Sequence, residues 1–471
     1  MEEDEFMEPS FGEMMDLIKQ YEDAEKENRK VFFDEENYDH IVQFYQDNRE
    51  YNKALRVANT AMEQYPFSSV FYTKKAEILA NQKRFDEALP LLEEAERLDP
   101  NDINIFLIRA DVHLWEGRHA EAMEVIESAI AIATEKEDMC ELLLEMADIW
   151  EDQEKYVEVV TCLKNALRHD PMCEEALNRL WFCTELMGTH DESIMFYENL
   201  LEESPYSHWA WYNLGHAYSG IGLYDKAIDA LGYAIAIDDN FEPAIVSSGD
   251  VMFITGNTDK ALEFYQEAIK ISKPDKELYL KTAACYEKLG ELGKSRSYLR
   301  KAIAVDPYYE EAFFRIGETY RMEDNLDKAI ASFERAVKLS KDNVDYLIAL
   351  ADAYLVVGEN DKALEIFERI FQQDPDSKQN WVNLASAYFN VENYRKAFQV
   401  LSEAEHKFDG SADIYYVKTV FYYQAGNRHE ALINLEKGLL ANFDEHTMIF
   451  EMDESLLDVD AVLQVIEQYR P

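Results

Sequence analysis

A repeat of 34 residues runs through most of this chain. Starting at Ala227 and stepping forward by that interval lands on Ala261, Ser295, Ala329, Ala363, Ala397 and Ala431. Ala88 and Ala122 stand in the same relation further upstream. A period of this length excludes a single globular core. It predicts a stack of small units, each touching only its neighbours.

Counting His208 as position 1 of one unit, the same frame starts at Glu35, Ser69, Ile103, Cys140, Glu174, His208, Glu242, Lys276, Glu310, Val344, Lys378 and Ala412. Position 8 is Gly or Ala in nine of the twelve, and positions 20 and 27 are Ala in nine each. Positions 4, 7, 8 and 11 share one face of a helix, and positions 20, 24 and 27 share one face of a second. Small residues at 8, 20 and 27 let the two helices approach. Larger ones at 4, 11 and 24, such as Phe313, Tyr320 and Phe333, fill the space between them. Gly at position 15 in seven units closes the first helix. Pro at position 32 stops the second in six: Pro66, Pro100, Pro171, Pro205, Pro307 and Pro375.

Within His208–Ala234, the residues Trp211, Leu214, Gly215 and Tyr218 read W-x2-L-G-x2-Y, with Ala227 and Ala234 at fixed offsets. This resembles the tetratricopeptide repeat, a helix–turn–helix unit. The resemblance implies an all-α solenoid, a right-handed superhelix with short capping segments at both ends. The expected organisation is an acidic tail or cap helix at 1–34, twelve repeats over 35–445 and capping helices over 446–471, with a three-residue insertion at 135–137.

The first residues, MEEDEF, have neither the cationic nor the apolar character of a signal peptide. Phe11–Tyr21 is readable as an amphipathic helix covering the first repeat or as a frayed tail. At the other end, Val462, Val465, Ile466 and Tyr469 form a helical stripe over Leu456–Tyr469. Repeat five breaks the pattern: Trp181 fills the small position 8 and Leu200 the small position 27. Either the core repacks locally, or this is a joint or docking point.

Net charge is −49, from 95 Asp and Glu against 46 Lys and Arg. Such a surface repels nucleic acid and anionic membranes and attracts basic partners. No run reaches the ~18 apolar residues of a membrane span. Five cysteines, without a C-x-x-C, argue for a reducing compartment, hence the cytoplasm. Cys162, His169, Cys173 and Cys183 fall on different faces of the repeat frame, so no metal is expected. No cofactor motif stands out either. Gly220–Gly222 follows no strand and lacks the third glycine of a nucleotide loop. Repeats occupy almost the whole chain, so the expectation is a protein without catalytic activity.

In the family it resembles, the first helices line a concave surface, with positions 2, 5, 9, 12 and 13 facing the groove. Position 9 is acidic in six of twelve repeats, and aromatic and aliphatic residues interleave with it. The residues expected to bind are Asp111, Trp115, Asp148, Trp209, Tyr212, Asp250, Phe253, Glu318 and Asp352. They suit a protein or peptide segment carrying Lys or Arg and apolar anchors. The bland alternative is a merely acidic surface, its carboxylates bridged to neighbouring basic residues. A carboxylate clamp known in the family uses Lys at position 5 and Asn at position 9; neither is present at any repeat here. The expected function is a non-catalytic interaction scaffold. The alternative is a holdase-like chaperone or assembly factor that uses the same aromatics without sequence preference. Oligomeric state is not readable from these residues.

Overall fold

In the computed structural model, residues 11–27 and 29–470 are described. The acidic start MEEDEF lies outside them. Among the described residues every regular element is a helix. First helices (A) open at Glu35, Ser69, Ile103, Glu174, His208, Glu242, Lys276, Glu310, Val344, Lys378 and Ala412. Each is followed by a second helix (B), and the pairs build an α-solenoid. In the fourth pair, helix A opens at Lys136 and runs to Glu151. The inserted residues thus lengthen its start by about one turn and leave Cys140 inside the helix.

The small-residue columns are the buried seam. Ala88, Ala95, Ala110, Ala227, Ala329 and Ala336 are wholly inaccessible. At Gly317 an added Cβ would sit 2.5 Å from the Phe333 ring, so this approach requires the missing side chain. Position 15 has a left-handed backbone in every one of the twelve pairs. Seven are glycine, and Arg49, Lys83, Glu154, Asp324 and Glu392 take the same conformation at φ 56° to 59°. The reason is the turn itself. The next N–H reaches back to the position 11 carbonyl, as from Leu223 to Tyr218 at 2.9 Å, which closes helix A.

Two compact units divide the chain, Met1–Val251 and Met252–Pro471. In the first, helix Phe11–Lys26 buries Ile18 and Tyr21 against Tyr38, Ile41 and Val42. Its Glu22 accepts from the Tyr45 hydroxyl at 3.2 Å and from the Lys53 ammonium at 3.1 Å. Adjacent repeats are also stitched by a recurrent bond from the position 11 tyrosine to position 25 of the repeat before, such as Tyr218 to Glu198 at 2.6 Å. Trp181 cannot enter the seam as Gly or Ala does. It is only half-buried, against Tyr212 and His216, and the two helices of repeat five approach much less closely than those of repeat six.

In the second unit the last repeat is closed by two 3-10 turns, Phe443–Thr447 and Glu454–Asp458, and two helices, Met448–Met452 and Asp460–Gln468. The terminal helix is shorter than the stripe from Leu456 suggested, because Val459 is extended and breaks it. Ile449, Leu456 and Val462 are buried against Leu435 and Leu439.

Candidate functional site

Position 9 lies near the middle of each A helix, and in repeats three and four its carboxylate meets position 6 of the repeat that follows. Arg179, at position 6 of repeat five, reaches Asp148 at 2.5 Å and Glu151 at 2.8 Å. Arg315 bonds Glu287 as Arg179 bonds Glu151, both acceptors being at position 12 of the preceding repeat. In repeat four, position 6 is Glu145 instead, so Asp111 meets a second carboxyl group rather than a cation. Burial, together with Asp148, raises Asp111 to about 6. Burial, with Asp111 and Asp148, raises Glu145 to about 8. One Glu145 oxygen is buried without a hydrogen-bond partner. Like charges that cannot both be solvated hold a proton instead.

Beside this group, Leu114, Trp115, Gly117, Asp148, Glu151 and Asp152 line an open cleft of about 630 Å³. Trp115 is 52% exposed, with one side of its indole near Phe85. Asp152 also meets His119 Nε2 at 2.6 Å. In the second unit, Glu318 and Asp352 share a smaller cleft with Phe314, Asp345, Ile348 and Ala349. Arg321 enters it and bonds Glu318 at 2.6 Å.

The structure therefore brings Trp115 with Asp148, and Glu318 with Asp352. The other expected residues stand differently. Tyr212 is buried inside a cluster of rings with Trp181, Trp209, His216 and Phe241, so the expectation that it contacts a partner is corrected. Its neighbours on both sides are aromatic, and they cover it. Trp209 is half-buried in the same cluster, and Asp250 is half-buried on helix A of repeat seven. Phe253 carries the Lys288 ammonium 3.7 Å from its ring centre. The acidic ladder is also less bare than the composition suggests, since Arg179 and Arg321 neutralise part of it. Position 6 was the available signal for Arg179, since it faces carboxylates of the preceding repeat; Arg321, at position 12, pairs with Glu318 three residues earlier on its own helix.

Of the cysteines weighed as metal ligands, Cys162 and Cys183 are buried in the core. Cys173 instead comes together with Cys140 and Asp170, a grouping that crosses repeat positions 34, 1 and 31. Among the described residues no helix is long and apolar enough to cross a membrane.

Paired helices with small-residue seams, left-handed closing turns and clefts along the A helices define an all-α repeat protein of the interaction-scaffold class. Family models described as tetratricopeptide repeat match residues 43–103, 79–139, 196–229, 280–344 and 320–388. One described as anaphase-promoting complex, cyclosome, subunit 3 matches 358–438. The chain belongs to the tetratricopeptide-repeat family.

Among similar curated proteins, DnaJ homolog subfamily C member 7 of Mus musculus is 24% identical over 270 residues, 52% of this chain and 55% of that protein. TPR repeat-containing protein YpiA of Bacillus subtilis (strain 168) is 23% identical over 254 residues, 53% of this chain and 59% of that one. BBSome complex member BBS4 of Bos taurus is 27% identical over 120 residues, 26% and 23% respectively. The chain thus spans a little over half of the first two and less than a quarter of the third. Among solved structures, YrrB, described as a TPR protein with an unusual peptide-binding site, aligns with TM-score 0.34 and 19% identity over 39% of this chain and 95% of its own. MamA aligns with TM-score 0.33 and 25% identity over 35% and 95%.

Proposed function

We propose that this chain is a non-catalytic, cytoplasmic scaffold whose twelve repeats, over 35–445, present clefts on their A helices to protein segments bearing Lys or Arg beside apolar side chains. The observation that carries this reading is the cleft at repeats three and four. There an exposed indole, Trp115, stands beside Asp148, Glu151 and Asp152, with Arg179 cancelling only part of their charge. Cationic heads pair with the carboxylates, while an apolar or guanidinium face lies on the ring. Nucleic acid and anionic membranes are disfavoured by the same charge. No cofactor enters the reading.

Fluorescent peptides that interleave Arg and Leu, against matched peptides with Glu for Arg, test it. The basic peptide should bind the full chain and weaken with salt, as the screening length falls from about 30 Å at 0.01 M to about 8 Å at 0.15 M. Asp152→Lys should weaken it further, with helicity unchanged. Equal binding of both peptides, insensitive to salt, would replace this reading with holdase-like capture.

A further inference from the structure

Positions 1, 31 and 34 of a repeat sit together where helix A passes the loop that leaves helix B. Repeat eight shows the arrangement with ordinary partners. Lys276 (position 1) holds Asp306 (position 31) at 2.7 Å, and its ammonium lies 4.7 Å from the centre of the Tyr309 ring (position 34). Positions 1 and 34 also meet elsewhere. Lys378 bonds Ser411 at 2.9 Å, and the rings of His208 and Phe241 lie 4.7 Å apart.

In repeat four the same three positions are Cys140, Asp170 and Cys173. One sulfur from each cysteine and a carboxylate oxygen all lie within 4.8 Å of one another. The carboxylate that Lys276 neutralises in repeat eight here faces two thiols. We propose that Cys140, Asp170 and Cys173 form a binding site for a soft divalent cation of the zinc class, which takes the place held by the lysine ammonium in repeat eight.

The chemistry of the donors favours this. Two thiolates and one carboxylate carry three negative charges and match the S and O ligands that zinc accepts. Two sulfurs on one tetrahedral zinc stand roughly 3.8 Å apart, given Zn–S distances of about 2.3 Å, so the observed spacing needs little adjustment. Cys140 is buried, while Cys173 and Asp170 are partly exposed and give an entry path. Asp170 is also held in place, since one of its carboxylate oxygens accepts from the Met172 N–H at 2.9 Å. Three protein donors leave the fourth tetrahedral position to solvent. Thiols bind such an ion as thiolates, so binding releases protons and weakens in acid.

The ion would tie helix A of repeat four to the end of its helix B and to the start of repeat five.

Cobalt titration of the reduced, chelator-treated full chain tests the site. One equivalent of Co2+ should give a thiolate-to-cobalt charge-transfer band that Zn2+ abolishes by displacement. Cys173→Ser, at a partly exposed helix cap, should remove the band without loss of helicity. Asp170→Asn should weaken cobalt binding by about tenfold or more. Cys162→Ser, which alters a thiol outside the group, should leave the band intact. Exposed carboxylates that collect cobalt non-specifically give no such band. A reduced wild-type chain without it, or a band that survives in Cys173→Ser, overturns the proposal.

Discussion

Asp111 of repeat three and Glu145 of repeat four place two carboxyl groups in direct interaction where the neighbouring pair of repeats places Asp148 against Arg179. Both are half-buried, and both titrate above their ordinary values of 3.8 and 4.5, at about 6 and about 8. The folded chain therefore holds protons that the unfolded chain releases. Stability from this pair is complete below about pH 4 and is lost as pH rises through 8. Glu145→Gln imitates the protonated form. It should match wild type in thermal melts near pH 5 and exceed it by about 1–2 kcal/mol near pH 8.5. A wild-type-to-variant difference that does not change with pH would remove the shared proton.

Lys418 is 4% exposed and bonds Glu405, whose own ordinary range is lowered by that lysine against the opposing effect of burial. Removing one partner leaves a charge in the core of the last repeats. Glu405→Ala should cost about 3 kcal/mol in urea unfolding. The pair replacement Lys418→Met with Glu405→Leu should recover most of that loss, because it removes both charges and keeps the volume. If the single and the double variant unfold alike, the bond is not what holds these helices.

At position 15 the backbone, not the side chain, decides. Gly358 sits at φ 81° with open space around its Cα, so Gly358→Ala meets no clash and still should lose about 1 kcal/mol. Glu154 already adopts φ 56°, so Glu154→Gly should cost nothing and is expected to raise the melting temperature slightly. Equal destabilisation by both changes would mean that the turn is held by something other than its dihedral angles.

Trp115 separates recognition from folding. Half of its surface is exposed, so Trp115→Ala should change thermal stability by no more than about 1 kcal/mol, as at other exposed sites. Affinity for an Arg/Leu peptide should fall at least tenfold, the size of a single aromatic anchor. An unchanged titration curve would move the recognition surface away from the cleft at repeats three and four.

The pairing of helices and the closing turns were readable because their causes are local. A period of 3.6 places Ala88 and Ala95 on one face, and a left-handed residue must end helix A at Gly222 or Gly256. Even Lys83 and Glu154, which carry no glycine signal, could be placed by counting from the frame. The exposed Trp115 and the acidic Asp148 were also legible, since they lie on a stripe that the helix period defines.

What only the tertiary structure decided lies between repeats. Arg179 on Asp148, Glu145 on Asp111, the burial of Tyr212 under Phe241, and the meeting of Cys140 with Cys173 all join residues 29 to 34 positions apart. Those meetings depend on how far each helix is turned and tilted as it stacks. That geometry is set by summed side-chain volumes in three dimensions, which a linear period does not contain.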